Sequence, residues 1–480
     1  MEKLSRFLTG AMLALFCLLM AGAVGLSTVG NLAHPSYAAA LAGGALLALL
    51  WPLLKKRLAG RQLLCERLGP GKTCLLLALL CFALNGLWVL LMPLEPVGDP
   101  ATFWQAAVDL ARGEAPQNRV YIALFPHILG YSAFLSLFIR LFGESLRMAG
   151  LLNVALNTLS GVLLYRSCLR WRGERSAAFA FLLWALLPSK LLYGPMVISE
   201  PFYTCLLLAV IWLLGNAEEK IGQGCALMLC LAAGLVCALL LSMVNAARPI
   251  AAVPIIAFVI WLLLLRGPAL RDREQWKRWG LFTLVLLLAY VGLGRLWNGY
   301  AARTLEETPA PIPGYNIYVG FNPESMGTYS EPDMDLLTDY RYTEGSSAVI
   351  AQQKMFEEAK ARIRSGQVPF GRLFVSKLRS FMGNDEGGVF YTYDRFSHRE
   401  YVVWSLVCNV YYYALILLAL WGVYSLWQRR EQRVVLTVPL YVIGLTLAQM
   451  LVEVAGRYHY SIVPMLIILA ACTCGEPTRR

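Results

Sequence analysis

The sequence predicts an all-α polytopic membrane protein of about twelve transmembrane helices, with outer interfacial helices and one large, mixed extracytoplasmic loop. Three observations predict it. The 480 residues are 58% hydrophobic and only 15% charged, whereas soluble domains are roughly half apolar and about a quarter charged. Apolar runs long enough to cross roughly 30 Å of hydrocarbon recur along the chain. The Lys and Arg residues, which outnumber the acids by a net charge of +12, gather in short loops between those runs. That distribution marks cytoplasmic loops, because Lys and Arg resist translocation.

The predicted spans are 7–30, 37–54, 73–93, 147–165, 176–194, 201–216, 224–244, 250–265, 279–297, 401–427, 434–452 and 460–474. Lys3, Arg6 and Ala21-Gly22-Ala23 make the first run imitate a signal peptide. More spans follow directly, so it reads as an uncleaved first helix. The basic clusters are Lys55–Lys72, Arg166–Arg175, Arg266–Arg278 and Arg429–Arg433. The stretch Tyr121–Phe142 is apolar enough to span, but spanning would put Arg166–Arg175 outside. If it lies in or re-enters the outer interface, every cluster falls inside. Both termini are then cytoplasmic, and the outer segments are 31–36, 94–146, 194–200, 245–249, 298–400 and 453–459.

The chain divides into a two-helix extension (1–60), a transmembrane module (61–297) containing the first outer loop (94–146), an extracytoplasmic loop (298–400) and C-terminal helices (401–480). The basic residues form no soluble patch, so nucleic acid is not expected as a partner; membrane lipids are. None of the twelve cysteines lies in 298–400. Most sit in apolar spans as small hydrophobes, with no disulfide or zinc spacing. Charges inside the spans are few, and Lys190 and Arg295 lie near predicted outer ends. That argues against an ion-coupled transporter, which needs ionisable groups at depth.

Polar chemistry gathers on the outer face. All four histidines fall there (His34, His127, His398, His459), as do Glu95, Asp99, Asp109, Glu114 and Glu200. The loop 298–400 is too long for a connector. Thr308–Pro332, rich in Pro, Gly and Tyr, reads as irregular. Ser346–Arg364 reads as a helix. Val368–Phe381 reads as an amphipathic helix whose Lys377 and Arg379 snorkel towards lipid phosphates.

Asp99 is the leading candidate. It stands where the third span breaks into Glu95-Pro-Val-Gly-Asp99-Pro100. Asp before Pro is a natural helix start, and Gly113 is the expected stop. The same carboxylate, at the outer surface beside an interfacial helix, is placed to act as a catalytic base between a lipid-borne donor and a hydroxyl acceptor. Glu200, after Ser199, suits a helix first turn or a second carboxylate that positions an acceptor or a metal. Glu453 and Arg457 are spaced as a helix pair; alternatively Arg457 grips a phosphate. Arg248 and Lys190 are weaker versions of the same idea. His127 shares the predicted depth of Asp99. Asp333-Met-Asp335 reads as a solvated turn.

In order along the chain, four features resemble the GT-C polytopic glycosyltransferases, in particular the bacterial protein-mannosyltransferase-like branch. They are Asp99 to Gly113; Tyr121…Phe125-Pro-His127…Gly130-Tyr131 leading to Leu141-Phe-Gly143; Pro188…Ser199-Glu200; and Arg457-Tyr458…Pro464. The stretch Arg364…Pro369-Phe…Lys377-Leu…Phe381 is also similar to loops of that family. The resemblance implies inverting transfer of a sugar from a polyprenyl-phosphate donor to an acceptor hydroxyl on the extracytoplasmic face. It implies Asp99 as base, Glu200 as the second acidic residue and Arg457 at the donor phosphate; Arg248 and Lys377 are added as candidates to help hold that phosphate, and His127, Tyr121, Tyr458 and His459 as candidates for substrate contact. It implies no metal, although Asp99 and Glu200 can bracket a divalent cation. Two spans precede the one that ends at Asp99, and Pro100 stands where the eukaryotic relatives have Glu. A polymerase or ligase of lipid-linked glycans, or a non-enzymatic lipid flippase, would share the same outline.

Overall fold

The computed structural model describes residues 2–31, 34–266 and 272–474. Arg271 and the part of the outer segment at 32–33 fall outside the described residues. The helices, in order, are α1 (Glu2–Gly30), α2 (Pro35–Leu58), α3 (Leu64–Leu91), α4 (Asp99–Arg112), α5 (Arg119–Leu124), α6 (His127–Phe142), α7 (Leu146–Arg172), α8 (Glu174–Ala185), α9 (Pro188–Tyr193), α10 (Glu200–Gly222) and α11 (Leu227–Ala247). They continue as α12 (Ala252–Ile260), α13 (Arg273–Leu305), α14 (Gly314–Gly320), α15 (Glu331–Thr338), α16 (Ala348–Arg364), α17 (Phe370–Met382), α18 (Gly387–Phe390), α19 (His398–Gln428), α20 (Thr437–Gln449) and α21 (Val463–Ala471). The protein is an all-α polytopic membrane protein.

Among the described residues eight helices are long and apolar enough to cross a membrane: α1, α2, α3, α7, α10, α11, α13 and α19. The other four expected spans are helical but shorter. Residues 176–194 break at Leu186-Leu187 before Pro188. Residues 250–265 start after Arg248-Pro249 and end in a π-helical turn. α20 and α21 are interior elements, and Met465–Ala470 are fully buried. Short or broken helices are tolerated at membrane depth only where protein covers them. The stretch 121–142 is also broken, at Phe125-Pro126, so α6 is too short to count as a span.

The loop 298–400, expected to be mixed, contains helices and turns and no strand. α16 starts at Ser347, whose hydroxyl accepts from the Ile350 N–H. The Asp333-Met-Asp335 string is not a solvated turn. It lies in α15, where buried Asp333 takes both η nitrogens of Arg362 at 2.9 and 3.0 Å and the Asn322 amide at 2.8 Å. The loop covers α5: the Ala310 N–H donates to the Ala123 carbonyl (2.9 Å) and Gln352 Nε2 to the Leu124 carbonyl (3.2 Å).

α4 is the amphipathic helix that positions the site. The chain enters it through Gly98 at φ 67°, ψ −131°, a conformation side chains rarely adopt, and leaves at Gly113 as expected. Its far end carries an ion pair between Arg112 and Glu144, both about half exposed, which solvent screens so that it adds little. Burial does more. Phe103, Ala106, Ala107 and Leu110 pack inward. Ser132 on α6 donates to the Phe103 carbonyl at 3.0 Å. Arg140 donates to the carbonyls of Leu110 and Ala111. Buried Asp109 accepts from Gln105 and from the Gln117 N–H, closing the turn that follows.

α6 in turn lies directly on α11, where a Cβ at Gly130 would stand 2.1 Å from the Ala246 carbonyl oxygen. α19 crosses α21 as closely, with 1.7 Å from a Gly422 Cβ to the Leu469 oxygen. Gly130→Ala and Gly422→Ala should each cost about 1–3 kcal/mol through overpacking, read as earlier thermal unfolding in detergent. Gly22→Ala, where a Cβ meets nothing within 4 Å, should be neutral or stabilising.

Candidate active site

Three helix ends and one turn bring distant charges together at one end of the bundle. Asp99 opens α4, Glu200 opens α10, Arg248 closes α11, and Arg457 sits in the short 3₁₀ turn Gly456–His459. Each placement has a local cause. The segment before Glu200 is pinned by buried Asn153, whose amide donates to the carbonyls of Gly194 (3.1 Å) and Met196 (2.7 Å). The 3₁₀ turn is held by Tyr460, which donates to Asn157 Oδ1 at 2.9 Å. It is also held by His459, whose Nδ1 lies 2.7 Å from the Phe381 oxygen and Nε2 3.2 Å from Asp385.

Asp99 does not cap α4. Gly98 holds the N-cap position and Asp99 is the first residue of the helix; its carboxylate accepts from Arg457 Nη2. The same guanidinium has its Nε 3.9 Å from Glu200 Oε1. Arg457 therefore stands between two carboxylates from opposite parts of the chain. Its side chain is 9% exposed and that of Glu200 2%, whereas Asp99 is 48% exposed, towards the cavity. The expected pairing of Arg457 with Glu453 on one helix is replaced by these tertiary pairs, since 453–457 is not α-helical. The guanidinium of Arg248 stacks on the Tyr458 ring at 4.0 Å, and that of Arg457 lies 5.2 Å from Tyr391 and 5.6 Å from Tyr458.

A cavity of about 650 Å³ opens beside this cluster. Of the residues singled out in the sequence, Asp99, Tyr121, His127, Glu200, Arg248, Arg457 and Tyr458 line it. Lys377 and His459 do not. Lys377 neither snorkels nor faces the cavity: buried in α17, its Nζ donates to the carbonyls of Gly320, Met450 and Val452 at 2.7–2.9 Å. Three carbonyl acceptors use all three ammonium protons. His459 is 3% exposed and braces the turn from behind. Lys190 is fully buried near Cys81 and the Ala185 carbonyl. Glu453, Tyr391 and Glu386 also line the cavity. Glu453 carried a signal, its spacing from Arg457. Tyr391 and Glu386 carried none, because the long loop brings them in.

Burial works against the charge of Asp99, but the Arg457 guanidinium outweighs it, helped by Arg248, and holds the carboxyl below its ordinary value. Asp99 is thus an ionised acceptor whose partner is a single guanidinium. Burial, reinforced by Arg248, pushes His127 down to about 3, leaving a neutral imidazole at physiological pH. Burial pushes Glu453 up to about 7 despite the opposing pull of Arg457. Three donors remain unmatched: the Nε–H of Arg457 and the hydroxyls of Ser199 and Tyr315 have no hydrogen-bond partner among the described residues. A guanidinium with a spare N–H, a second guanidinium nearby and a water-accessible carboxylate can bind a phosphate and accept a proton beside it. A divalent cation fits poorly between Asp99 and Glu200 while Arg457 occupies that position. Among the described residues no three His, Cys, Asp or Glu groups converge as metal ligands.

No family model and no curated protein sequence matches the chain. Among solved structures it is similar to ArnT from Cupriavidus metallidurans bound to undecaprenyl phosphate. That match has 14% identity and a TM-score of 0.36, over 84% of this chain and 77% of that one. It is also similar to the archaeal oligosaccharyltransferase AglB from Archaeoglobus fulgidus, in complex with an inhibitory peptide and a dolichol-phosphate. Here identity is 13% and the TM-score 0.42, over 85% of this chain and 50% of that one. Both TM-scores lie below 0.5, a partial overlap that assigns no residue of this site.

Arg457→Gln should destabilise the protein by about 3–5 kcal/mol, because it leaves the Glu200 carboxylate buried and unpaired. Arg457→Gln combined with Glu200→Gln should recover most of the loss in a thermal-unfolding series. If the double variant is as unstable as the single, the two residues are not paired. Glu453 gives a pH test. Its folded pKa is raised from 4.5 to about 7, so the folded state binds the extra proton in that window. Stability should therefore fall as pH rises from about 4.5 through 7, and Glu453→Gln should flatten that slope.

Proposed function

We propose that this chain is a membrane glycosyltransferase of the GT-C kind. It transfers a sugar from a polyprenyl-phosphate donor to an acceptor hydroxyl on the extracytoplasmic face, with inversion. The observation that carries the reading is the Arg457 bridge between Asp99 and Glu200 inside a cavity at one end of the bundle. The sequence resemblance described above supplies the chemistry; the geometry supports it by gathering the residues that chemistry needs.

The donor brings its own leaving group, so no nucleotide pocket is required. Its phosphate competes with Asp99 for Arg457. As the phosphate takes the guanidinium and Arg248 adds a second positive charge, the Asp99 carboxylate is released towards the acceptor. The acceptor O–H gives its proton to Asp99, and its oxygen attacks the anomeric carbon. The bond from that carbon to the phosphate oxygen breaks, and its electron pair leaves with the polyprenyl phosphate, stabilised by the two arginines. Attack opposite the leaving group inverts the centre. Glu200, buried and fixed at the start of α10, holds Arg457 in place and orients it. Neutral His127 and Tyr121 offer uncharged hydrogen-bonding groups to the sugar or acceptor.

In purified membranes supplied with polyprenyl-phosphate sugars, Asp99→Asn should reduce transfer by about 10²–10⁴-fold, the usual worth of a general base. The variant should stay folded, since Asn keeps the shape of the side chain and Glu200 remains beside Arg457. Full transfer by Asp99→Asn would move the base to Glu200. Lipid transport without transfer, surviving Asp99→Asn, would instead favour a flippase.

A further inference from the structure

Three of the four basic clusters meet in a second cavity. It has a volume of about 1280 Å³ and is lined by the ends of α7 and α10, by Arg266 and Gln275, and by Arg429–Arg433 in the segment after α19. It lies at the far end of the bundle. The Glu200 end of α10 lines the first cavity and its Gly215–Gln223 end lines the second; 23 residues of α-helix span about 34 Å. The fourth cluster, Lys55–Lys72, contributes nothing to its lining. Topology requires Lys and Arg in the loops. It does not require arginines from three separate stretches of the chain to converge on one recess.

Seven arginines and three glutamates line this cavity, and the glutamates are already engaged. Glu431, nearly buried, accepts from Arg172 at 2.9 Å and Arg433 at 3.1 Å. Glu219 pairs with Arg170 at 2.9 Å. Glu218 accepts the Val434 N–H at 3.1 Å. Donors are left over. Arg172 Nε, Arg170 Nη1 and Arg266 Nη1 are buried without a hydrogen-bond acceptor among the described residues, and Arg172 is only 4% exposed. Unmatched buried guanidinium N–H groups are costly to a fold. They are what an oxyanion with several acceptor oxygens would satisfy, and the planar fork of Arg suits phosphate.

We infer that this second cavity binds a phosphate group, carried by an anionic lipid headgroup or by a soluble phosphate compound. The site stands apart from the transfer reaction and does not depend on it.

The test is calorimetric titration of the purified full chain in neutral detergent. One arm uses inorganic pyrophosphate, the other dihexanoyl phosphatidic acid. Arg170→Gln with Arg430→Gln removes two charges from the lining. Lys56→Gln with Arg57→Gln removes two exposed charges outside it. The expected result is binding of at least one probe, weakened about tenfold or more by the first pair and unchanged by the second. Binding of the lipid alone identifies a headgroup site; binding of pyrophosphate identifies a soluble ligand. If the first pair does not fold, exposed Arg430→Gln alone should weaken binding in the same direction. The inference is overturned if neither probe binds, if the lining variants bind like wild type, or if both pairs weaken binding equally.

Discussion

One guanidinium between two carboxylates organises the functional end of this protein. Arg457 lies more than two hundred residues from Glu200 and more than three hundred from Asp99. It reaches both only because α4, α10 and the 3₁₀ turn converge. The cost of burying Arg457 is offset by Glu200 on one side and Asp99 on the other, and by the aromatic faces of Tyr391 and Tyr458. Much of the surrounding polar structure serves to hold this arrangement. Asn153 fixes the approach to Glu200, Asn157 and His459 brace the turn, and α6 presses α4 into place.

The two carboxylates are not equivalent, and exposure separates their roles. Glu200, only 2% exposed at the cavity wall, sets the position of Arg457. Asp99 faces the cavity and is held by one displaceable partner. Under the proposed function, a phosphate that binds Arg457 frees Asp99 in the same step. In this account the base becomes available only when the donor is present, which limits futile reaction with water. The charge pattern elsewhere agrees with a division of labour along the bundle, with the carboxylates at one end and an excess of arginine at the other.

Much of this was legible in the sequence. Apolar runs mark helices because hydrocarbon leaves the backbone no other partner, and each expected span is helical. Gly113 and Ser347 mark helix ends through local chemistry. Asp99, Glu200, Arg248 and Arg457 were visible as charges at predicted outer ends. What could not be read was which partner each charge would find. Lys377 and His459 have the residue types of a phosphate site, but carbonyls and carboxylates brought from distant segments use them structurally. The Glu453–Arg457 spacing suggested a local pair, and tertiary pairing overrode it. The arginines of three separate stretches of the chain carried their topological signal plainly, whereas their convergence on one recess depends on packing alone.

The central claim is that Arg457 exchanges Asp99 for the donor phosphate. A cryo-EM structure of the full chain with polyprenyl phosphate bound tests it most directly. The account predicts the phosphate on Arg457 beside Arg248, with Asp99 released into the cavity and Glu200 unmoved. A bound phosphate elsewhere, with the Asp99–Arg457 pair intact, would contradict it.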